Sequence, residues 1–355
     1  TGSAGAFSAS GPQPMDWDYR RGLWTSTWEW RPPPGAVPDQ QFQLDCTVTD
    51  GRGGSDTRTF GVVGEVQVLR PGKIVFSSDR DGNWEVYVMN DDGTEQTNLT
   101  NDPAWDERAR FSPDGSKMVF VSNRTGSWQV FTMNPDGTDV RQLTTVPGWE
   151  ATYPHWTSDG TRITYSTGPM AGGGGTWDVW IMNADGTNPQ PFFADEYSSW
   201  DGPTYWSPSG NHVVQMHWAW HGSWDFDLYL LDPSGTRLSN LTDAPGGQND
   251  CFWSPDGTRI SFNHTDPATP SNSEAAFSFL DDPVNPTRLN QPYVMLSKTP
   301  GWEGAPVWNK DGKRLAFPSD RTGNKDIFLI NDDGTGVVQL TTDPGNDDWP
   351  HWWGR

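Results

Sequence analysis

A unit of roughly 45 residues repeats from about Lys73 to the C-terminus, and no other feature restricts the fold so strongly. Ser112-Pro113-Asp114-Gly115 recurs as Thr157-Ser158-Asp159-Gly160, Ser207-Pro208-Ser209-Gly210, Ser254-Pro255-Asp256-Gly257 and Asn309-Lys310-Asp311-Gly312. A period of this size implies stacked supersecondary units, each unable to bury its apolar face alone.

Within a unit, an aromatic residue before the turn (Phe111, Trp156, Trp206, Trp253, Trp308) leads into a short alternating run such as Lys117–Val121. A second loop, Asn123-Arg124-Thr125-Gly126-Ser127, opens the run Trp128–Met133. A third turn, Asn134-Pro135-Asp136-Gly137-Thr138, precedes a last short run ending in Leu143-Thr144. Period-two runs bounded by Asp-Gly turns are hairpin strands, because those turn residues accept the positive φ of tight hairpins. Four strands per unit make a propeller blade.

Five full units begin near Trp105, Trp149, Trp200, Gly247 and Trp302, while Lys73–Thr100 holds only three strands of a sixth. The missing first strand is found at the other end, where Asp348-Trp349-Pro350-His351-Trp352 matches Thr152-Tyr153-Pro154-His155-Trp156. The expectation is an all-β, six-bladed propeller over residues 71–355, closed by a strand shared between its two ends so that no sheet edge stays open.

Residues 1–70 form a separate β region. Phe42–Asp50 alternates strictly, turns through Gly51-Arg52-Gly53-Gly54 and continues as Thr57–Val63, a hairpin pattern. Gly5–Ser8 and Thr27–Pro33 are candidate earlier strands. The hairpin, with the phrase Val48-Thr49-Asp50-Gly51-Arg52-Gly53-Gly54-Ser55, resembles the end of an immunoglobulin-like or PKD-type domain. Seventy residues are short for such a sandwich, so the region is read as a partial one, docked on or completed by another chain or an upstream segment.

The repeats resemble the TolB-type propellers of bacterial periplasmic and secreted proteins. Ser-Pro-Asp-Gly, Ser78-Asp79-Arg80-Asp81-Gly82-Asn83, Met89-Asn90-Asp91-Asp92-Gly93-Thr94 and Leu99-Thr100 carry the likeness, which covers about four-fifths of the chain. It implies a periplasmic, cell-surface or extracellular location and a protein or peptide partner. Fold alone does not choose among the functions such propellers host.

A formal net charge of −22 and a pI near 4.4 repel phosphate backbones and anionic membranes, which excludes nucleic acid as a partner. No apolar run reaches the length of a membrane span, so membrane insertion is not expected. The chain starts at Thr1 without a signal peptide, as expected for a processed product or part of a longer polypeptide. Cys46 and Cys251 lie in different regions, and their number decides nothing about redox compartment.

No Gly-x-Ser-x-Gly elbow, phosphate loop or His-Glu-x-x-His occurs, so an enzyme is not expected. Gly172–Gly175 lies between two strands and is a loop. His212, His217 and His221 cluster in one unit, but an odd spacing of five puts His212 and His217 on opposite faces of a strand, which favours structural roles over a metal site.

Trp105-Asp106, Trp149-Glu150, Trp200-Asp201 and Trp302-Glu303 precede the innermost strands, with Asp347 in a fifth such place. These loops emerge on one face near the channel. They are read either as packing between blades or as an acidic, Trp-lined mouth for a cation such as calcium, a basic peptide or a sugar. Most of the 22 tryptophans occupy repeated positions, as inter-sheet packing does; Trp218 and Trp220, two apart on an extended segment, are the best candidates for a surface platform. Three readings remain open: a non-catalytic exported interaction module, which leads; a carbohydrate-binding or polysaccharide-lyase-type propeller with an oligosaccharide ligand; and a structural subunit that self-assembles into a filament through residues 1–70.

Overall fold

The computed structural model describes residues 72–169, 176–193, 201–220, 224–243, 246–266, 268, 272–297, 299 and 301–354, with 219, 220, 224 and 225 as backbone only, and short strands within 1–70. The chain divides into two compact units, Thr1–Arg70 and Pro71–Arg355. In the first, Ala6–Phe7 pairs with Trp30–Arg31, Asp16–Asp18 with Leu23–Thr25, and Phe42–Thr49 with Ser55–Val62, all antiparallel.

The second unit consists of six four-stranded antiparallel sheets. Blade 1 is ordered Asp347–Trp353, Lys73–Ser78, Glu85–Asn90, Thr97–Asn98. Blade 2 runs Asp106–Phe111, Met118–Ser122, Gln129–Met133, Arg141–Gln142; blade 3 runs Trp149–Trp156, Arg162–Pro169, Asp178–Asn183, Gln190–Phe193. Blade 4 is Asp201–Trp206, Val213–Trp220, Trp224–Leu231, Arg237–Asn240, and blade 5 is Gly247–Trp253, Arg259–Thr265, Ser273–Phe279, Val294–Met295. Blade 6 comprises Val307–Trp308, Arg314–Ser319, Asp326–Asn331 and Val338–Gln339. In blade 1 the C-terminal strand meets its neighbour with Asp347 opposite Ser78 and Trp352 opposite Ile74.

The apolar core lies between neighbouring blades, because alternate residues of each strand face opposite sheet surfaces. Val75 and Val86 of blade 1 pack with Phe111, Phe120 and Phe131 of blade 2, and Val119 and Val130 of blade 2 pack with Ile163, Tyr165 and Met182 of blade 3. Trp156 and Trp253 fasten one blade to the previous one by donating from Nε1 to the carbonyls of Arg110 (3.3 Å) and Tyr205 (3.0 Å). Trp308 and Trp352, at the same repeat position, are buried. Repetition of this tryptophan thus reflects packing.

Each innermost strand of blades 1 to 5 carries a register shift near its middle. At that point Arg108, Tyr153, Asp250 and Trp349 hold φ of 58°, 52°, 37° and 49°. Left-handed backbone is unfavourable for side chains of this kind, and a bulge re-aims the residue it contains. Arg108, Tyr153 and Trp349 accordingly meet one another: the Arg108 guanidinium lies 4.3 Å from the Tyr153 ring centre and 4.1 Å from that of Trp349.

Candidate functional site

The acids before the innermost strands are not free carboxylates. Asp106, Asp201, Glu303 and Asp347 are all buried, at 0 to 1% exposure, and engaged by basic or polar side chains. Arg124 Nη2 donates to both oxygens of Asp106, at 3.0 and 2.8 Å, and Arg80 Nη2 does so to Asp347 at 2.9 Å each. Arg321 Nη2 bonds Glu303 Oε1. In all three blades the arginine Nε also donates to a serine hydroxyl two residues earlier: Ser122, Ser78 and Ser319. Each guanidinium lies over two aromatic rings, Phe120 and Phe131, Phe76 and Tyr87, or Phe317 and Phe328.

This assembly is structural in its chemistry. An isolated buried carboxylate is costly, and a forked guanidinium with a ring on its face neutralises it. Burial still pushes the Asp106 and Asp347 carboxyls above the usual range, despite hydrogen bonds from Ser122 and Ser78 and the adjacent arginines. The signal was readable as Ser-x-Arg in Ser78-Asp79-Arg80, Ser122-Asn123-Arg124 and Ser319-Asp320-Arg321, but not its long-range acidic partner.

Blades 3, 4 and 5 depart from the clamp. Glu150 is one residue out of register with the other acids. Ala151, whose amide donates to the Trp128 carbonyl (2.9 Å), occupies the place where Asp106 donates to the Trp84 carbonyl (2.8 Å) and Asp347 to that of Lys325 (2.7 Å). In blade 4, Asp201 Oδ1 lies 3.0 Å from His217 Nδ1 and accepts from Gln215 Nε2 at 3.2 Å. Gln248 of blade 5 lies 3.3 Å from His264 Nδ1.

The indoles of the same loops behave differently. Trp105 and Trp149 are 47% and 41% exposed, and Trp218, which stacks at 6.1 Å on Phe226, is 39% exposed. All three lie at the same end of their blades, where the innermost strands begin. Trp302 is half-buried, with Lys325 Nζ 3.8 Å from its ring centre. Trp200 and the side chain of Trp220 fall outside the described residues, as do His221 and the Gly172–Gly175 loop. His212 precedes its strand, donating its amide to Ser207 Oγ (3.1 Å), and Cys251 is a buried free thiol. Among the described residues no three His, Cys, Asp or Glu side chains are grouped to hold a metal ion, calcium included.

Two cavities open at opposite ends of the channel. The upper one, about 390 Å³, is lined by Asn249, Asp250, Trp302, Asp348 and Trp349 among others. Glu107, on the innermost strand of blade 2, is pushed up to about 7, chiefly by burial and further by the charges of Asp348 and Asp106, against the pull of Arg108. The lower cavity, about 420 Å³, includes His155, Trp156, Trp206, Trp253, His351 and Trp353. Arg110 and Phe252 line both, with the guanidinium 4.8 Å from the ring centre, so this pair forms the partition between them.

These features define a six-bladed β-propeller with two axial vestibules. Residues 70–200 match the TolB beta propeller domain family, PD40. TolB from Acinetobacter baumannii is similar in structure with a TM-score of 0.67 at 16% identity, over 80% of this chain and 67% of that one. A chain of a nidogen/laminin complex gives 0.60 at 11% identity, over 79% and 98%. An oligogalacturonate lyase in complex with manganese gives 0.53 at 15%, over 86% of each. At such identities the likeness establishes the fold alone. No curated protein matches the chain.

Proposed function

We propose that this chain is an exported, non-catalytic interaction module that takes a peptide or protein partner on the loop face of its propeller. The observation that carries this reading is the exposure of Trp105, Trp149 and Trp218 on one face. Large exposed indoles are unfavourable in water and concentrate binding energy where a partner covers them. With Asp106 beside Trp105 neutralised by Arg124, recognition by the face is aromatic first and electrostatic second. Residues 1–70 act in this reading as a partial immunoglobulin-like region offering an assembly contact, because a two-stranded hairpin such as Phe42–Thr49 with Ser55–Val62 is marginal without a further sheet.

A random-peptide library selected on the immobilised protein tests the main reading. Peptides that bind should weaken at least ~10-fold against Trp105→Ala/Trp149→Ala, as loss of aromatic anchors implies. Equal affinity for the double variant would remove the loop face as the binding surface.

A further inference from the structure

The lower vestibule has a composition at odds with the rest of the protein. The chain carries 46 acidic residues and a net charge of −22, yet no Asp or Glu lines this cavity. Its one formally charged lining residue is Arg110. The acids of the surrounding turns face their own loops: Asp114 Oδ1 accepts from Ser112 Oγ and the Ser116 amide, and Asp256 Oδ1 accepts from Ser254 Oγ and the Thr258 amide.

Arg110 is also incompletely satisfied. Its Nη1 is buried without a hydrogen-bond partner, and among the described residues no carboxylate lies within ion-pair distance. Arg108, by contrast, has Glu107 Oε2 at 4.0 Å. Asp250, the acid facing Arg110 from blade 5, lines the upper cavity and accepts from the Tyr205 hydroxyl at 2.8 Å. His155 and His351 add no second positive charge, since burial and the Arg110 charge hold both imidazoles neutral. A half-buried arginine whose guanidinium keeps an unused donor favours an acceptor-bearing anion over water. One guanidinium balances one negative charge.

The walls add a second requirement. Trp156, Trp206, Trp253, Trp352 and Trp353 surround the cavity, and the volume of about 420 Å³ suits a small ring system. Flat aromatic walls select a flat or ring-shaped body, by stacking and by exclusion of water.

We propose that the lower vestibule is a second binding site, specific for a singly charged carboxylate carried on a planar ring, with Arg110 pairing the carboxylate and the tryptophan walls holding the ring. The site is separate from the loop face and does not depend on the function assigned to that face. The carboxylate has two sources of equal chemistry: a free aromatic acid, or an aromatic residue at the C-terminus of a peptide.

Titration of the full chain, followed by calorimetry and tryptophan fluorescence, uses indole-3-acetate, indole-3-acetamide and tryptamine, with acetyl-Gly-Trp and its C-terminal amide as the peptide arm. The acid of one or both series should bind at least ~10-fold more tightly than its neutral partner, and tryptamine not at all, consistent with a charge-assisted pair; the tighter acid identifies the source. Arg110→Gln should abolish that preference, while Trp105→Ala/Trp149→Ala leaves it unchanged. Should Arg110→Gln fail to fold, the charge series on the unaltered protein decides. Equal binding of acid, amide and amine, or no binding of any, would overturn the proposal.

Discussion

Arg124 holds both carboxylate oxygens of Asp106 from one nitrogen while its Nε takes the hydroxyl of Ser122, so three residues on two neighbouring strands and their loop are locked together. The same geometry joins Arg80 to Asp347, and Arg321 holds Glu303 by Oε1 alone while Oε2 accepts from the Ala275 amide. These clamps occupy three consecutive blades, 6, 1 and 2. The remaining half of the ring has no such arginine clamp: Asp201 meets His217, Gln248 meets His264, and Ala151 stands at the position in blade 3, which makes the propeller chemically two-sided.

The clamp predicts an asymmetric response to mutation. Arg124→Met should lower stability by about 3 kcal/mol, because it strands a buried carboxylate, whereas Asp106→Asn/Arg124→Met should recover a large part of that loss. Urea denaturation of the two variants measures this. A double variant no more stable than the single one would show that the ion pair is not what the guanidinium contributes.

The C-terminal strand predicts a global effect. Removing residues 346–355 takes away the partner of Lys73–Ser78, the Asp347 carboxylate of Arg80 and the buried Trp352. Open edges and lost core should lower the thermal midpoint of the whole propeller, with no single blade unfolding separately. A truncated protein melting at the original temperature would contradict closure by this strand.

Two buried groups predict opposite pH dependences. His351 is pushed down to about 3 by burial and by Arg110, so below the ordinary histidine value the unfolded chain takes up a proton that the folded chain refuses. Stability falls from about pH 6.5 toward 3, and His351→Gln should flatten that fall by about one proton. Glu107 is raised instead, so its contribution is fully present below the ordinary glutamate value and is lost as pH rises through about 7. Glu107→Gln should therefore gain stability relative to the parent at pH 8 and not at pH 4. Stability curves that run parallel for parent and variants would reject both assignments.

Two turn glycines of blade 2 share a left-handed backbone but differ in their surroundings. Gly115 and Gly126 have φ of 70° and 97°, but a Cβ on Gly115 would lie 2.0 Å from the Trp353 ring, whereas one on Gly126 meets nothing. Gly126→Ala should cost about 1 kcal/mol, the strain of left-handed backbone. Gly115→Ala should cost at least twice as much, and comparable losses in denaturant melts would place Trp353 elsewhere.

Much of this protein was readable one residue after another. Turn motifs such as Pro135-Asp136-Gly137 act within four residues, and strand alternation acts within six, so both survive in the linear chain as a repeat. From that repeat the blade, its four strands, the count of six and the packing role of Trp156 or Trp308 follow. The acids before the innermost strands were equally visible, but their environment was not. Asp347 meets Arg80 across 267 residues, and no local pattern ties one to the other. Glu150 looked equivalent to Asp106 until the register in blade 3 put Ala151 in its place, because a one-residue offset near a bulge changes which side chain faces the core. Arg110, Phe252, His155 and His351 come from four blades, and nothing in any one repeat ties them to one another. Their convergence on the axis, which leaves one guanidinium with an unused donor in an aromatic chamber, is decided only when the ring brings the innermost strands together.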